Sequence, residues 1–330
     1  MRIPILETRR LRRAHETRGR NTQMTDHLDI PTSLWSNSIL SLPDKLTSAY
    51  RGVLKKNGLL EAAKKPPNSD KIFGGNSKQD SDDHFTHRFV NSAGRTEFAV
   101  LSPDPALIQV SEALLSALSD GRVGVLDIPC GAGASTCALV ATIAALRAQN
   151  VMPNLPLALD ILGGDTSPHS RDLFAQMLSE MKPRLEELGI HLSWDVIDWD
   201  GTSSDSTAKL VDEFFSLAGS AEELIVSISN FSGALGTNEA FDQFSASFDQ
   251  IVSRMHNRTA TIAWIEPKDF NKAKKTFMLV IAYLVKSFAD LFKSQKSTQP
   301  QSANYDMRDP MTQKVFQTGV AVLQLRRTSS

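Results

Sequence analysis

At 330 residues, 41% hydrophobic and 22% charged, the chain has the composition of a folded protein, with enough length to bury one large core and a smaller appendage. Its formal net charge of -1 excludes a domain whose affinity rests on wholesale neutralisation of nucleic-acid phosphates and leaves room only for a local basic patch. The two cysteines, Cys130 and Cys137, are spaced for neither a zinc finger nor a disulfide framework, which points to a reducing compartment and a cytoplasmic protein.

Residues 1–23 carry Arg9, Arg10, Arg12 and Arg13 with no apolar run behind them, which argues against a secretory signal, while Glu7 and Glu16 argue against a transit peptide. They read as a disordered basic tail, either upstream of a start at Met24 or a targeting segment. Residues 24–100 form a mainly helical cap. Within it, Leu46, Tyr50, Val53, Leu54, Leu59 and Leu60 recur at helical spacing over 42–63, and a polar linker with Pro66, Pro67, Gly74 and Gly75 spans 64–83. A further helix over 106–118 follows Pro103 and Pro105.

Beyond Gly121, short apolar runs alternate with longer amphipathic ones, as in a parallel sheet covered by helices. Strands are expected at 123–128, 157–162, 191–197, 224–228, 261–265 and 320–325, with helices at 135–149, 170–188, 207–218, 239–255 and 271–292. The last of these includes 277–285, an apolar run too short to span a bilayer and closed by Lys286. Residues 294–312 read as a polar loop and 314–317 as the missing partner of the last strand, the alternative being that this partner is displaced. The fold class is α/β, a doubly wound, mostly parallel sheet over 101–330 with helices on both faces, so ligands belong in the loops after the strands.

The strongest local signal is Val125-Leu126-Asp127-Ile128-Pro129-Cys130-Gly131-Ala132-Gly133-Ala134-Ser135-Thr136. An apolar strand enters a turn in which two glycines let a ligand approach the amides opening the next helix, although glycine in such turns also serves φ > 0 or close packing alone. Thr136 stands where a pyrophosphate fingerprint needs a small third residue, and Asp127 would repel a pyrophosphate but attract an ammonium or sulfonium.

On these residues the chain resembles the class I S-adenosylmethionine-dependent methyltransferases, whose first motif is an apolar strand, an acid, three residues and Gly-x-Gly, matched by Asp127, Gly131 and Gly133 with Ala132 between. The resemblance implies a seven-stranded sheet ending in an antiparallel hairpin, and S-adenosyl-L-methionine as cofactor. It implies that the acid in Gly163-Gly164-Asp165-Thr166 takes the ribose hydroxyls, with Asp160 as the alternative and helix capping as the plain account of Asp165. It places Asp198 and Trp199 at the adenine, where a solvated acidic turn would look the same, and Asn230, Phe231 and Glu266 around the acceptor. The Asn-Pro-Pro-Tyr signature of many amino-group methyltransferases is absent from Ser227 to Gly233. Phe85, Phe89, Arg95 and Phe98 are expected to fold over the cofactor.

The expected activity is methyl transfer to a small molecule, a protein or RNA, with catalytic residues unidentified. The alternatives are a nicotinamide-dependent oxidoreductase, disfavoured by Thr136 and Asp127, and a non-catalytic interaction protein retaining the fold. His84 and His87 beside Asp82 and Asp83 have a helical metal-site spacing but no third ligand motif, so no metal is expected; Cys130 has no histidine placed to serve it and reads as small-residue packing.

Overall fold

The computed structural model describes residues 28–66, 75, 77–232, 235, 238–255, 257–268 and 301–327. The basic tail, Met24, most of the Pro/Gly linker, Gly233 and the helix expected at 271–292 lie outside the described residues.

The first strands among the described residues are a small hairpin, β1 (Trp35–Ser36) and β2 (Ile39–Ser41), that periodicity does not announce. Helix α1 (Asp44–Lys56) buries Leu46, Tyr50, Val53 and Leu54 on one face, with Asp44 in its first turn and Lys55 and Lys56 in its last, both favourable to the helix dipole. A short α2 (Leu60–Ala63) follows, then α3 (Lys78–Leu101), which starts inside the stretch read as linker and continues for 24 residues. Ser77 caps α3 by accepting from the Asp80 amide, and Ser102, at φ +46° before Pro103, ends it. A 3-10 turn (Pro105–Leu107) leads into α4 (Ile108–Ala117).

The remainder alternates β3 (Gly121–Asp127), α5 (Ala134–Ala148), β4 (Leu157–Asp165), α6 (Pro168–Glu186), β5 (Ile190–Asp198), α7 (Ser204–Ala218), β6 (Glu223–Ser229), α8 (Asn238–Arg254) and β7 (Thr259–Pro267), then β8 (Gln301–Arg308) and β9 (Val315–Arg327). The strands form one nine-stranded sheet in the order β1-β2-β8-β9-β7-β6-β3-β4-β5. The five consecutive strands β7, β6, β3, β4 and β5 are parallel, with β5 at the sheet edge, and β9 is antiparallel to both β7 and β8. Strand order reverses between β3 and β6, which places the ligand crevice outside their carboxyl ends. This is the class I methyltransferase-like arrangement, widened from the expected seven strands by β1 and β2.

The two faces of β3 feed separate cores. Val123 and Val125 pack with α1, α3, α5 and α6, whereas Leu126 packs with α7 and α8, and β6 repeats the division with Ile225 against Leu224 and Val226. This period-two split is what a sheet covered on both sides requires. Away from the crevice, the Arg147 guanidinium donates to the carbonyls of Leu155, Leu188 and Ser119 at 2.6, 3.0 and 2.9 Å, tying three loops together.

Two expectations are corrected. The segment read as a polar loop contains β8, in which Ala303, Tyr305 and Met307 are buried alternately with more exposed neighbours. Residues 314–317 do not form a separate strand, because β9 begins at Val315 and runs to Arg327. Among the described residues, no helix is long and apolar enough to cross a membrane.

Candidate functional site

β3 delivers Asp127 to the rim of the sheet, but the carboxylate is buried rather than presented to the crevice. Its Oδ2 accepts from Thr136 Oγ1 at 2.7 Å, and its buried Oδ1 has no donor among the described residues. Burial pushes its pKa up to about 7, against the opposing pull of the Thr136 hydroxyl and amide. Asp127 therefore fastens the strand end to the first turn of α5 from behind.

The two glycines of the turn have different reasons to be glycine. Gly131 and Gly133 both have positive φ, +50° and +74°, a region costly for a side chain bearing Cβ. At Gly133 a Cβ would stand 1.8 Å from Cδ2 of the buried Phe174 of α6, so this position is required by helix packing. At Gly131 it would meet nothing within 4 Å, so the backbone there borders open space. Gly133 is the N-cap of α5 and supplies no side-chain cap.

β4 runs further than its apolar stretch, through Gly163 and Gly164 to Asp165. Phe174 and Cys130 occupy the space beside Gly163, and Leu210, Trp199 and Ile128 that beside Gly164. Asp165 Oδ2 accepts the Gly131 amide at 3.0 Å and Oδ1 the Ser167 amide at 2.8 Å, so it binds the glycine turn to the start of α6. Burial raises its pKa, while these two amides and Arg171 pull it down. Thr166 is exposed beside it, and Ala132 is buried within the turn.

Asp198 closes β5 in register with Asp165, is 74% exposed, and pairs with Arg171 at 2.8 Å. Trp199 does not stand at the crevice. It is 2% exposed, packs against Gly164, Gly201 and Phe244, and donates its Nε1 to Thr207 Oγ1 at 3.1 Å. Asp160, the alternative ribose acid, is held mid-strand by Arg122 at 2.5 Å.

Beyond β6, Asn230 adopts φ +56° and donates its amide to Ile265 O at 3.0 Å. Glu266 Oε1 accepts four hydrogen bonds, from Phe231 N, Ser232 N, Ser232 Oγ and Trp264 Nε1, at 2.8–2.9 Å. Glu266 is thus the brace of the turn after β6. Burial raises its pKa and these donors lower it. Phe231 is half-buried edge-on to Phe244, with ring centroids 5.0 Å apart.

Helix α3 crosses the carboxyl ends of the strands and touches the turns in succession. Ser81 Oγ meets Ser167 and Ser170, Asn91 accepts from Thr318, Arg95 Nη1 donates to Asn230 Oδ1 at 2.6 Å, and Thr96 meets Ser135 at 3.0 Å. Of the four residues expected over the cofactor, Arg95 alone reaches these strand ends. Phe85 and Phe89 pack on Tyr50, and Phe98 stacks on Tyr305, all inside the core. The alternation at three and four residues of Ser81, His84, Arg88, Asn91 and Arg95 marks this polar face in the sequence, but its hydroxyl and amide contacts go unread there. Among the described residues, no group of three or more His, Cys, Asp or Glu is placed to hold a metal ion.

No family model matches the chain, and no curated protein matches it. Among solved structures it is similar to the rRNA methyltransferase aviRa from Streptomyces viridochromogenes, at 13% identity and TM-score 0.34, over 68% of this chain and 89% of that one. It is also similar to a precorrin-6y C5,15-methyltransferase from Geobacter metallireducens, at 12% identity and TM-score 0.29, over 66% and 89% of the two chains. A putative protein-L-isoaspartate O-methyltransferase from Plasmodium falciparum, in complex with S-adenosyl-L-homocysteine, matches at 8% identity and TM-score 0.24, over 86% and 94%. With TM-scores below 0.5 these remain likenesses, and the assignment of the fold rests on strand order.

Proposed function

We propose that this chain binds S-adenosylmethionine and transfers its methyl group to an acceptor by direct displacement. The observation that carries this is the joining of Gly131 to Asp165: a glycine turn bordered by open space is hydrogen-bonded to the acid that closes the neighbouring strand. A carboxylate has more acceptor sites than the two amides use, enough for the hydroxyls of a vicinal diol. The residues fit a cationic nucleoside amino acid. Asp165 and Thr166 would hold the ribose, the turn from Gly131 to Gly133 and the amino end of α5 the amino-acid end, and Asp198 the adenine amino group. Asp127 acts through Thr136, as a positioning group.

The bound sulfonium supplies a methyl carbon already activated for displacement. The protein's part is alignment and exclusion of water. In this account residues 24–100 roof the cofactor domain of 101–330 through α3, and Asn230 and Phe231, braced by Glu266, orient the acceptor. Both cysteines are buried and free, which fits a reducing compartment such as the cytoplasm.

Calorimetric titration of S-adenosylmethionine, S-adenosylhomocysteine and NAD into the wild type and Asp165→Ala tests the proposal. Binding of both adenosyl compounds, indifference to NAD and weakened binding in the variant are expected. Preference for NAD, or unchanged affinity in the variant, would overturn it.

A further inference from the structure

Arg95 is 7% exposed, and its Nη1 donates to the Asn230 side chain. Its remaining donors have no acceptor among the described residues, and its Nε is buried. Among the described residues it forms no ion pair within 4 Å; the buried Tyr305 hydroxyl and then Glu266 act on it electrostatically, and all four donors held by that acid's Oε1 come from residues other than Arg95. A buried guanidinium with unused donors is costly unless an acceptor arrives.

Arg95 is not isolated. His84, Arg88 and Asn91 share its helical face, and both arginines act electrostatically on His84, whose pKa burial and these charges press down to about 4. At neutral pH this stretch of α3 therefore carries two fixed positive charges and a neutral imidazole. Its contacts place it over the ends of β6 and β9. The acids Asp165 and Asp198 close β4 and β5, on the other side of the switch point.

We infer that the face of α3 bearing Arg95 and Arg88, together with Asn230, recognises an anionic acceptor, one carrying a carboxylate or phosphate group that takes the unused donors of Arg95. A planar fork of donors suits either oxyanion. The half-buried ring of Phe231, next to Asn230 in the chain, offers an apolar side for the body of the acceptor. Naming this molecule the acceptor rests on the methyltransferase proposal above; the anion site itself does not.

The test uses the full chain saturated with S-adenosylhomocysteine and titrated with benzoate, phenylphosphonate and, as the uncharged counterpart, benzamide. Either anion should bind at least about tenfold more tightly than benzamide, and the tighter of the two assigns carboxylate or phosphate. Arg95→Met should abolish this preference while S-adenosylhomocysteine affinity stays within about twofold. Arg88→Gln, on the same face and away from Asn230, should reduce anion binding in part and serves if Arg95→Met fails to fold. Equal binding of benzoate, phenylphosphonate and benzamide would overturn the inference. So would loss of S-adenosylhomocysteine affinity in Arg95→Met, because Arg95 would then belong to the nucleoside end. Anion binding by a wild type that ignores S-adenosylhomocysteine would instead refute the cofactor proposal and leave the anion site standing.

Discussion

The Gly131 amide donates to Asp165 Oδ2 at 3.0 Å, so the turn after β3 and the acid that ends β4 form one hydrogen-bonded unit. Their strands are neighbours, with Asp127 in register with Gly163. Any ligand held by both is consequently seated over the carboxyl ends of β3 and β4, beside the switch point between β3 and β6.

The two glycines should separate experimentally. Gly133→Ala combines positive φ with a Cβ 1.8 Å from Phe174, so a loss of about 3–5 kcal/mol is expected, visible as a large fall in Tm or as insoluble protein. Gly131→Ala meets no protein atom within 4 Å and should cost only about 1–2 kcal/mol from its backbone conformation. Its new methyl group would nonetheless enter the ligand space, weakening S-adenosylhomocysteine binding about tenfold or more by calorimetry. A Gly131→Ala protein with wild-type affinity would remove the turn from the site.

Asp165→Asn should leave the core intact while setting an amide NH2 against one of the two backbone donors. Loosening of the turn and loss of an anionic acceptor are expected to reduce S-adenosylhomocysteine affinity about tenfold or more, with Tm changed by only a few degrees. Circular dichroism melting and calorimetry on the same sample distinguish this from general unfolding.

Asp127 predicts a pH signature. Its folded pKa of about 7 lies above the roughly 3.9 of an unfolded aspartate, so between those values the folded state holds a proton that the unfolded state has released. Its contribution is most favourable below pH ~4, declines as pH rises at up to about 1.4 kcal/mol per pH unit, and levels off above pH ~7. Asp127→Asn has no such group, so its stability relative to the wild type should climb between pH ~4 and ~7 and then remain flat. Urea melts across that range measure the slope, and a difference independent of pH would show that Asp127 is not buried as described.

Arg147→Met should lower stability by about 3 kcal/mol, because it strands carbonyls of Leu155, Leu188 and Ser119 that now accept from one guanidinium. Those carbonyls lie away from the crevice, so ligand affinity at saturating protein stability should not move.

Much of the parallel sheet is legible in the sequence because strands buried on both faces are written as continuous apolar runs. The strand end at Asp165 is legible for a related reason: it closes the residues that follow such a run. β8 is not, since its inward alternation depends on Ala303, Tyr305 and Met307 alone, set among Ser, Asn, Asp and Arg. The start of α3 is obscured by the charged residues from Lys78 to Asp83, and Gly94 sits mid-helix beside Met307, which needs the room. Aromatic residues mislead most. Phe85, Phe89 and Trp199 are apolar surface in search of cover, and whether that cover is a ligand or the protein depends on partners such as Tyr50 and Thr207 that are distant in the chain or silent in the pattern.

The most direct test of the central proposal is the electron density beside the hydrogen-bonded pair Gly131 and Asp165 in crystals grown with S-adenosylhomocysteine. Ribose oxygens within hydrogen-bond distance of Asp165, with the amino-acid end over the Gly131 turn, are the expected result. Density for the nucleoside elsewhere, or a turn filled by the protein's own side chains under saturating ligand, would contradict it.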